Sequence, residues 1–285
     1  MQYIELNTKT ALNKLKRKIP YSWDLNIYRG CNHGCKYCYA IYSHDYLNDG
    51  NFFDKVYYKK NIIEALEREL SSSDWKREIV NIGGVTDSYQ QIEKELKIMR
   101  DVLKLMIKYK TPVIISTKSD LILRDFDLID ELSKITYVNI AFTITTMDEE
   151  IRKKLEPNTS PSLNRFNALK KFKETNASLG VHVMPIIPYL TDNKENLEEI
   201  YRLSSEIGVH YVLPGTLYLR EKTKPYFFNF IKEEYNNIYI KLIDLYKKGG
   251  AGKEYKDGLY KNINELKQKY NVSSNYMKII KEKLF

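Results

Sequence analysis

Apolar segments suited to buried strands recur six times along the chain, and segments with helical periodicity lie between them. Two parallel strands need a long crossover, usually a helix, so this alternation predicts a parallel sheet built from βα units. The predicted strands are residues 24–28, 78–82, 113–116, 137–142, 181–186 and 210–213. The predicted helices are residues 59–71, 92–109, 126–135, 163–178 and 194–207.

Local residue signals place the helix ends. Asp192 followed by Glu195 predicts a capping arrangement at the start of the fifth helix. Gly180 and Gly208 lie where the fourth and fifth helices are expected to end, because glycine readily adopts the left-handed conformation that closes a helix.

The chain changes character beyond the last predicted strand. Residues 225–248 are rich in aromatic residues and lysine at helical spacing. The Gly-rich residues 249–252 then predict a flexible break before two short terminal helices. We therefore expect an N-terminal segment at residues 1–22, a barrel domain at 23–222 and a helical C-terminal extension at 223–285.

Periodicity alone does not distinguish a barrel from a doubly wound open sheet. The position of the unusual residues favours a barrel, because the loops after the strands of barrel-type folds build active sites at one rim. Such residues follow the predicted strands directly, at 30–39, 83–87, 117–120, 143–146 and 184–188. We predict an α/β fold, a partial (βα)6 TIM-type barrel with a helical C-terminal extension.

The 285 residues carry a net charge of +9 and give a pI near 9.1, which suits an anionic partner such as nucleic acid. The lysines are spread over the whole length, so a merely solvated, lysine-rich surface is the alternative. No stretch approaches the roughly 18 uninterrupted apolar residues of a membrane span, and residues 1–18 lack an apolar block behind their basic residues. We expect a cytoplasmic protein that does not associate with membranes.

The three cysteines, Cys31, Cys35 and Cys38, lie within eight residues at the spacing C-x3-C-x2-C. In the reducing cytoplasm an odd, clustered set of thiols favours metal binding over disulfides. Cysteine thiolates are the ligands of iron–sulfur clusters, and three of them leave the fourth iron of a cubane open. The alternative is a Cys3His zinc site in a non-catalytic binding module, with His33 or His44 as the fourth ligand.

This cysteine loop, with an aromatic residue before its last cysteine and a strand before its first, resembles the motif of the radical-SAM superfamily. Within that superfamily the sequence is similar to the branch related to spore photoproduct lyase, often described as predicted nucleic-acid repair photolyases. The likeness is carried by residues 26–40, 84–93, 117–125 and 155–157, together with Arg165. A weaker likeness continues through residues 225–235.

The resemblance implies that Cys31, Cys35 and Cys38 hold a [4Fe-4S] cluster whose open iron chelates the methionine part of S-adenosylmethionine (SAM). An electron, delivered by a donor such as flavodoxin or ferredoxin, then cleaves SAM to a 5′-deoxyadenosyl radical that abstracts hydrogen from the substrate. By the same resemblance Tyr37 flanks the adenine, and Tyr39 approaches SAM through its backbone.

Further SAM contacts are implied after the second and third strands. Gly83 and Gly84 occupy the place of the Gly-Gly-Glu stretch whose backbone contacts the methionine ammonium. Val85 stands where the glutamate would be, so backbone contacts alone are expected. Lys118 resembles the lysine that pairs with the SAM carboxylate, and a rim salt bridge with Asp120 is the alternative.

The fourth and fifth strands complete the implied site. Thr143 or Thr145 is expected to contact the ribose hydroxyls, and Met184 the adenine. Glu156 and Arg165 match the branch without an assigned role, and a helix-to-loop ion pair is expected for them.

The cysteine count limits the reaction. Photoproduct lyase uses a separate cysteine to return hydrogen to its product radical, and all three cysteines here belong to the cluster in this interpretation. We expect a radical-SAM enzyme acting on DNA or RNA, by lyase-like lesion repair or by modification, because a basic chain with 24 tyrosines can bind phosphates and stack on bases. The alternative is a peptide or small-metabolite substrate.

Overall fold

The computed structural model describes residues 1–16, 19, 21–47 and 52–284. Its strands are β1 (Gln2–Leu6), β2 (Leu12–Lys14), β3 (Trp23–Leu25), β4 (Tyr28–Arg29), β5 (Lys55–Lys59), β6 (Val80–Ile82), β7 (Val113–Thr117), β8 (Val138–Thr143), β9 (Ser178–Ile186) and β10 (Tyr211–Thr216). Its α-helices are α1 (Ile62–Leu70), α2 (Glu93–Leu96), α3 (Ile98–Lys108), α4 (Phe126–Ile135), α5 (Glu149–Leu155), α6 (Ser162–Phe172), α7 (Lys194–Ile207), α8 (Thr223–Glu234), α9 (Asn236–Leu245), α10 (Lys253–Lys269) and α11 (Tyr276–Leu284). The segments Tyr39–Leu47 and Asp120–Asp125 are 3-10 helices.

The main sheet contains six parallel strands in the spatial order β3, β6, β7, β8, β9 and β10, with β2 antiparallel beside β3. Within this sheet, each parallel strand lies beside the parallel strand that follows it in sequence, so the strand order never reverses. A doubly wound sheet would reverse its strand order at one point. The structure therefore confirms the predicted partial barrel, and among the described strands no pairing joins β10 to β2 or β3.

A second, three-stranded sheet leads into the cysteine loop. In it β5 pairs parallel to β1 and antiparallel to β4. The predicted first strand is divided between the two sheets, as β3 and β4, and Asn26 lies at the division. Its side-chain oxygen accepts the N–H of Val85 at 3.0 Å, which links the approach to the cysteine loop with the loop after β6.

The core lies between the main sheet and the helices outside it. Ile140 and Phe142 of β8 are fully buried in one apolar cluster with Leu103 of α3 and Leu132 of α4. Full burial of an aliphatic or phenylalanine side chain contributes about 1.5–3 kcal/mol. Because successive side chains of a strand point to opposite faces, Thr143 points to the barrel interior.

The prediction that Gly180 ends the fourth helix is wrong. That helix, α6, ends at Phe172, and Gly180 lies inside β9. A Cβ at Gly180 would lie 2.2 Å from Cζ of Tyr211, whose hydroxyl donates to Asn139 at 2.9 Å. Glycine is required here so that the Tyr211 ring can cross the barrel interior. The sequence of β9 alone does not show that a side chain of the neighbouring strand occupies this space.

The predicted cap of α7 is wrong by one residue. The side chain of Asn193 accepts the N–H of Asn196 at 2.8 Å, and this makes Asn193 the N-cap. Asp192 instead accepts a hydrogen bond of 2.7 Å from the hydroxyl of Tyr255. Gly208 ends α7 as predicted, with φ of 76°.

The predicted helix at 92–109 is two helices, α2 and α3. Lys97 separates them in the left-handed conformation, with φ of 52°. The carboxylate of Glu93 accepts the N–H of Met99 at 3.0 Å, so a side chain replaces the helical backbone bond at the break.

The C-terminal extension is helical as predicted, but its first terminal helix is not short, since α10 has 17 residues. The terminal helix α11 packs Ile280 against Ile79, Ile114 and Tyr137. These residues lie at the amino ends of strands, so α11 covers the barrel at the end opposite the cysteine loop. None of the described helices is long and apolar enough to cross a membrane.

Candidate functional site

The cysteine loop follows β4 and turns at two glycines. Gly30 and Gly34 have φ of 83° and 69°, in the left-handed region. A Cβ would lie 2.3 Å from the carbonyl oxygen of Lys55 at Gly30 and 3.1 Å from Cγ of Pro157 at Gly34. Packing on both sides therefore sets the path of the loop.

Two polar side chains after β6 hold this loop. Thr86 donates its hydroxyl to the carbonyl of Gly30 at 2.7 Å. The amide of Gln90 accepts the N–H of Asn32 at 3.0 Å and donates to the same Gly30 carbonyl at 3.3 Å. The 84–93 stretch therefore supports the cysteine loop from one side.

The segment after α5 holds the loop from the other side. The carbonyl of Leu155 accepts the N–H of Lys36 at 2.9 Å. Asn158 donates its N–H to the carbonyl of His33 at 3.2 Å and its side-chain amide to the carbonyl of Asn32 at 2.7 Å. The 155–157 stretch is thus part of a second support of the cysteine loop.

The three thiols fit a [4Fe-4S] cluster. Cys31 and Cys35 are buried and Cys38 is half-buried. Burial raises the pKa of each thiol to about 12, so the metal-free chain holds protons that iron must displace. Among the described residues no three Cys, His, Asp or Glu side chains converge on one point as the ligands of a single ion do. A cubane places each cysteine on a different iron, so three soft thiols on one loop suit it without converging.

The two histidines that were candidate zinc ligands have other contacts. Nδ1 of His33 lies 3.4 Å from a carboxylate oxygen of Asp87. Burial lowers the pKa of His33, against the opposite effect of Asp87. The ring of His44 packs edge-on against Phe52 and Tyr57, with centroids 5.0 and 5.7 Å apart.

Asp87 joins the ends of β6 and β7, and sequence analysis assigned it no role. Its carboxylate accepts the Thr117 hydroxyl at 2.8 Å, the Lys118 N–H at 2.8 Å and the Tyr89 N–H at 2.9 Å. It thereby fixes the backbone from which Lys118 projects. Asp87 could have been identified from the sequence, because it lies in the 84–93 stretch that follows a predicted strand.

The expected ion pair between Glu156 and Arg165 is confirmed. Their nearest oxygen and nitrogen are 2.7 Å apart, and both side chains are 0% exposed. The other carboxylate oxygen accepts the hydroxyl of Thr145 at 2.8 Å and the hydroxyl of Tyr37. Burial by itself would raise the pKa of Glu156, but Arg165 and Lys118 outweigh it and hold the pKa at about 2.

The alternative pairing of Lys118 with Asp120 is wrong. Asp120 accepts the Ser160 hydroxyl at 2.7 Å, while Nζ of Lys118 lies 5.8 Å from the centroid of the Tyr37 ring. Burial lowers the pKa of Lys118, but Cys35 and other acidic groups nearby more than reverse this, and the net shift is upward. Lys118 therefore directs its charge toward the cysteine loop.

The glycine pair lies opposite Tyr39. Gly83 has φ of 86°, and a Cβ on Gly84 would lie 2.7 Å from a carboxylate oxygen of Asp24. The hydroxyl of Tyr39 donates to the carbonyl of Gly84, while the residue is 62% exposed. Both glycines and Tyr39 thus meet beside the cysteine loop.

The remaining predicted contacts lie on β8 and β9 or directly after them. The carbonyl of Thr143 accepts a bond of 2.7 Å from Arg165, and Thr145 is bonded to Glu156. Met184 packs beside Gly215 of β10, where an added Cβ would lie 3.2 Å from the Cβ of Met184.

Comparison with known proteins places the chain in a family. The family model described as the radical SAM superfamily matches residues 25–204. An uncharacterized protein of Mycobacterium tuberculosis is 30% identical over 278 residues, which cover 95% of this chain and 82% of that protein. An uncharacterized protein of Acidianus two-tailed virus is 29% identical over 273 residues, 91% of this chain and 84% of its own length.

Solved structures share the fold. Spore photoproduct lyase complexed with dinucleoside spore photoproduct matches with a TM-score of 0.68 and 15% identity, over 94% of this chain and 79% of that one. A doubly substituted mutant of the same lyase with bound AdoMet and the same dinucleoside matches with a TM-score of 0.67 and 15% identity, over the same shares of the two chains. At such identity the likeness establishes the fold. The family match implies a [4Fe-4S] cluster and SAM as the cofactors of this chain. Because this family model matches residues 25–204, the chain belongs to the radical SAM superfamily.

Proposed function

We propose that this radical SAM enzyme acts on a nucleic acid, DNA or RNA, in the cytoplasm, by lyase-like lesion repair or by modification of a nucleotide. Bound through Cys31, Cys35 and Cys38, the cluster supplies the reductive cleavage of SAM that starts hydrogen abstraction, with flavodoxin or ferredoxin as electron donor. These three cysteines are all the cysteines of the chain, so we propose no step through a further thiol.

The chain's own residues bind and orient SAM. Lys118 pairs with the SAM carboxylate, and the backbone of Gly83 and Gly84 meets the methionine ammonium. Tyr37 flanks the adenine, and Tyr39 contributes backbone contacts beside the last cysteine.

The far side of the cofactor meets β8 and β9. The hydroxyl of Thr145 is already bonded to Glu156 at 2.8 Å. Of the two threonines we therefore assign the ribose contact to Thr143, and we assign the adenine contact to Met184.

The observation that carries a nucleic-acid substrate is the concentration of exposed tyrosines at this rim. Tyr39, Tyr189 and Tyr218 are 62%, 46% and 51% exposed. Tyr39 follows Cys38 directly, and Tyr189 and Tyr218 lie after the carboxyl ends of β9 and β10, on the side of the barrel where the cysteine loop lies. The guanidinium of Arg220 lies 4.5 Å from the centroid of the Tyr218 ring. Exposed rings with a stacked arginine suit the faces of bases and the adjacent phosphates.

The segment that carries Tyr218 and Arg220 reaches the cysteine loop. Thr223 donates its hydroxyl to the carbonyl of Cys38 at 3.2 Å, and Lys222 pairs with Asp45. A base stacked on this segment would lie close to the cluster. The net charge of +9 supports the same partner.

The test is anaerobic reconstitution with iron, sulfide, SAM and dithionite, followed by measurement of 5′-deoxyadenosine. Single-stranded DNA, duplex DNA and RNA oligonucleotides are each added in parallel reactions. We expect turnover that rises with at least one nucleic acid and is absent in Cys35→Ser, which keeps the side-chain size but removes a cluster ligand.

The nucleic-acid contact is tested separately by binding at several salt concentrations. We expect the logarithm of the binding constant to fall with the logarithm of salt, with a shallower slope for Arg220→Gln and weaker binding for Tyr218→Ala. Binding that ignores salt, together with turnover unaffected by any nucleic acid, would refute this substrate class and point to a peptide or small metabolite.

A further inference from the structure

Glu156 connects the cysteine loop to two other elements through one buried carboxylate. One oxygen accepts the hydroxyl of Tyr37, which lies between two of the cysteines, and the hydroxyl of Thr145 after β8 at 2.8 Å. The other oxygen lies 2.7 Å from the guanidinium of Arg165 in α6. These three bonds therefore come from three different parts of the chain.

Arg165 fixes this carboxylate to the barrel. Its guanidinium also donates to the carbonyl of Thr143 at 2.7 Å and to the carbonyl of Ser160 at 2.8 Å. A buried ion pair contributes little net stability, because both charges lose their hydration. What the arrangement does supply is a single fixed position for Glu156.

Two side chains face this fixed charge, and both belong to the proposed SAM site. The ring of Tyr37 is held through its hydroxyl, and Nζ of Lys118 lies 5.8 Å from the centroid of that ring. Lys118 and Glu156 attract each other electrostatically. The aromatic ring is therefore held by a hydrogen bond to this carboxylate, and the cation lies within its electrostatic field.

We propose that Glu156 is a positioning residue for SAM: it holds the Tyr37 ring and the Lys118 ammonium where they meet the adenine and the carboxylate of the cofactor. Arg165 acts through Glu156 by fixing its position. This inference rests on the proposed function, since it takes the SAM contacts of Tyr37 and Lys118 from there.

The test compares Glu156→Gln with Glu93→Gln. Glu93 is also 0% exposed and bonded to a tyrosine and an arginine, but it lies outside the proposed SAM contacts. Both variants are reconstituted anaerobically, and iron and sulfide per chain are measured first. SAM affinity is then measured by equilibrium dialysis, and the EPR spectrum of the reduced cluster is recorded with and without SAM.

We expect Glu156→Gln to keep its iron and sulfide, to bind SAM at least tenfold more weakly, and to need correspondingly more SAM for the change in the EPR spectrum. Glu93→Gln should bind SAM within twofold of the wild type. Unchanged affinity in Glu156→Gln, or an equal loss in both variants, would overturn the positioning role.

A second variant covers the case in which Glu156→Gln does not fold. Tyr37→Phe removes one hydroxyl from the carboxylate and leaves the ring, and we expect it to weaken SAM binding severalfold. Wild-type affinity in Tyr37→Phe would contradict the inference. A wild-type chain that holds iron but binds no SAM would overturn the proposed function itself, which the variants alone cannot do.

Discussion

Two buried carboxylates in this protein have almost the same partners and opposite electrostatics. Glu93 accepts the hydroxyl of Tyr28 at 2.5 Å and lies 2.6 Å from Arg124, as Glu156 does with its own tyrosine and arginine. Burial raises the pKa of Glu93. The pKa of Glu156 is held at about 2, because Arg165 and Lys118 outweigh burial.

The difference lies in how the positive charge is shared. Arg124 divides its charge between Glu93 and Asp125, which lies 2.7 Å away. Glu156 receives the charge of Arg165 and, in addition, the charge of Lys118. Two cations therefore hold the pKa of Glu156 low and keep a negative charge beside the cysteine loop, whereas the pKa of Glu93 stays raised.

The largest contrast is expected when the arginines are removed. Arg165→Met leaves the carboxylate of Glu156 buried with its main partner lost, and we expect a loss of about 3–5 kcal/mol in the free energy of unfolding. Arg124→Met should cost clearly less, because Arg124 is 20% exposed and Glu93 takes up a proton more readily. Urea unfolding of the metal-free chains at neutral pH measures both. Equal losses would show that the two carboxylates are equivalent.

The second contrast is the pH dependence of stability. Glu156 has a folded pKa of about 2 against an ordinary value of 4.5, so its contribution is present above pH 4.5 and is lost as the pH falls toward 2. The contribution amounts to about 3 kcal/mol. The raised pKa of Glu93 acts oppositely: its contribution is present below pH 4.5 and is lost as the pH rises through the folded pKa.

The measurement is the stability of the wild type minus that of each glutamine variant, from urea unfolding between pH 2.5 and 7 at intervals of about half a unit. For Glu156→Gln this difference should shrink with acid. For Glu93→Gln it should move in favour of the wild type with acid. If acid changed the stability difference in the same direction for both variants, the two carboxylates would not have opposite pKa shifts.

The sequence predicted most of the framework around these carboxylates. The apolar periodicity located the strands and the order of βα units, because each strand buries one apolar face whatever its neighbours are. The spacing of Cys31, Cys35 and Cys38 located the cluster loop for a chemical reason, since three thiolates on one short loop can each bind a different iron of one cluster. Gly208 was likewise predicted from its own conformational preference.

The features that could not be predicted from the sequence depend on contacts between elements that are distant in the chain. The sequence predicts a helix end at Gly180, because it does not show that the Tyr211 ring packs against this glycine. Only the fold shows that Lys118 interacts electrostatically with Glu156 and not with Glu93. Lys118 follows β7, Glu156 follows α5 and Arg165 lies in α6, and electrostatic interactions among side chains so far apart in sequence leave no periodic signal.

A smaller contrast separates the two tyrosine hydroxyls. Tyr28→Phe and Tyr37→Phe each remove one hydrogen bond to a buried carboxylate without opening a cavity, and we expect each to cost about 1–3 kcal/mol. The two differ in function, because only Tyr37 lies in the proposed SAM site. Tyr28→Phe should therefore bind SAM within twofold of the wild type in equilibrium dialysis. Weaker SAM binding by Tyr28→Phe than by Tyr37→Phe would reverse the assignment.

The smallest expected effect tests whether Lys118 causes the difference in pKa between Glu156 and Glu93. Lys118→Met keeps most of the side-chain length and removes the second cation from Glu156, so the pKa of Glu156 should rise toward that of Glu93. The acid-dependent loss of stability still begins near pH 4.5, but it is smaller and ends at a higher pH. The change in stability at neutral pH stays below about 1 kcal/mol, because Lys118 is partly exposed. Glu93 does not face Lys118, so the pH profile that reports Glu93 should stay unchanged in the Lys118→Met background. If both profiles move together, a general loosening of the loops and not the charge of Lys118 separates the two carboxylates.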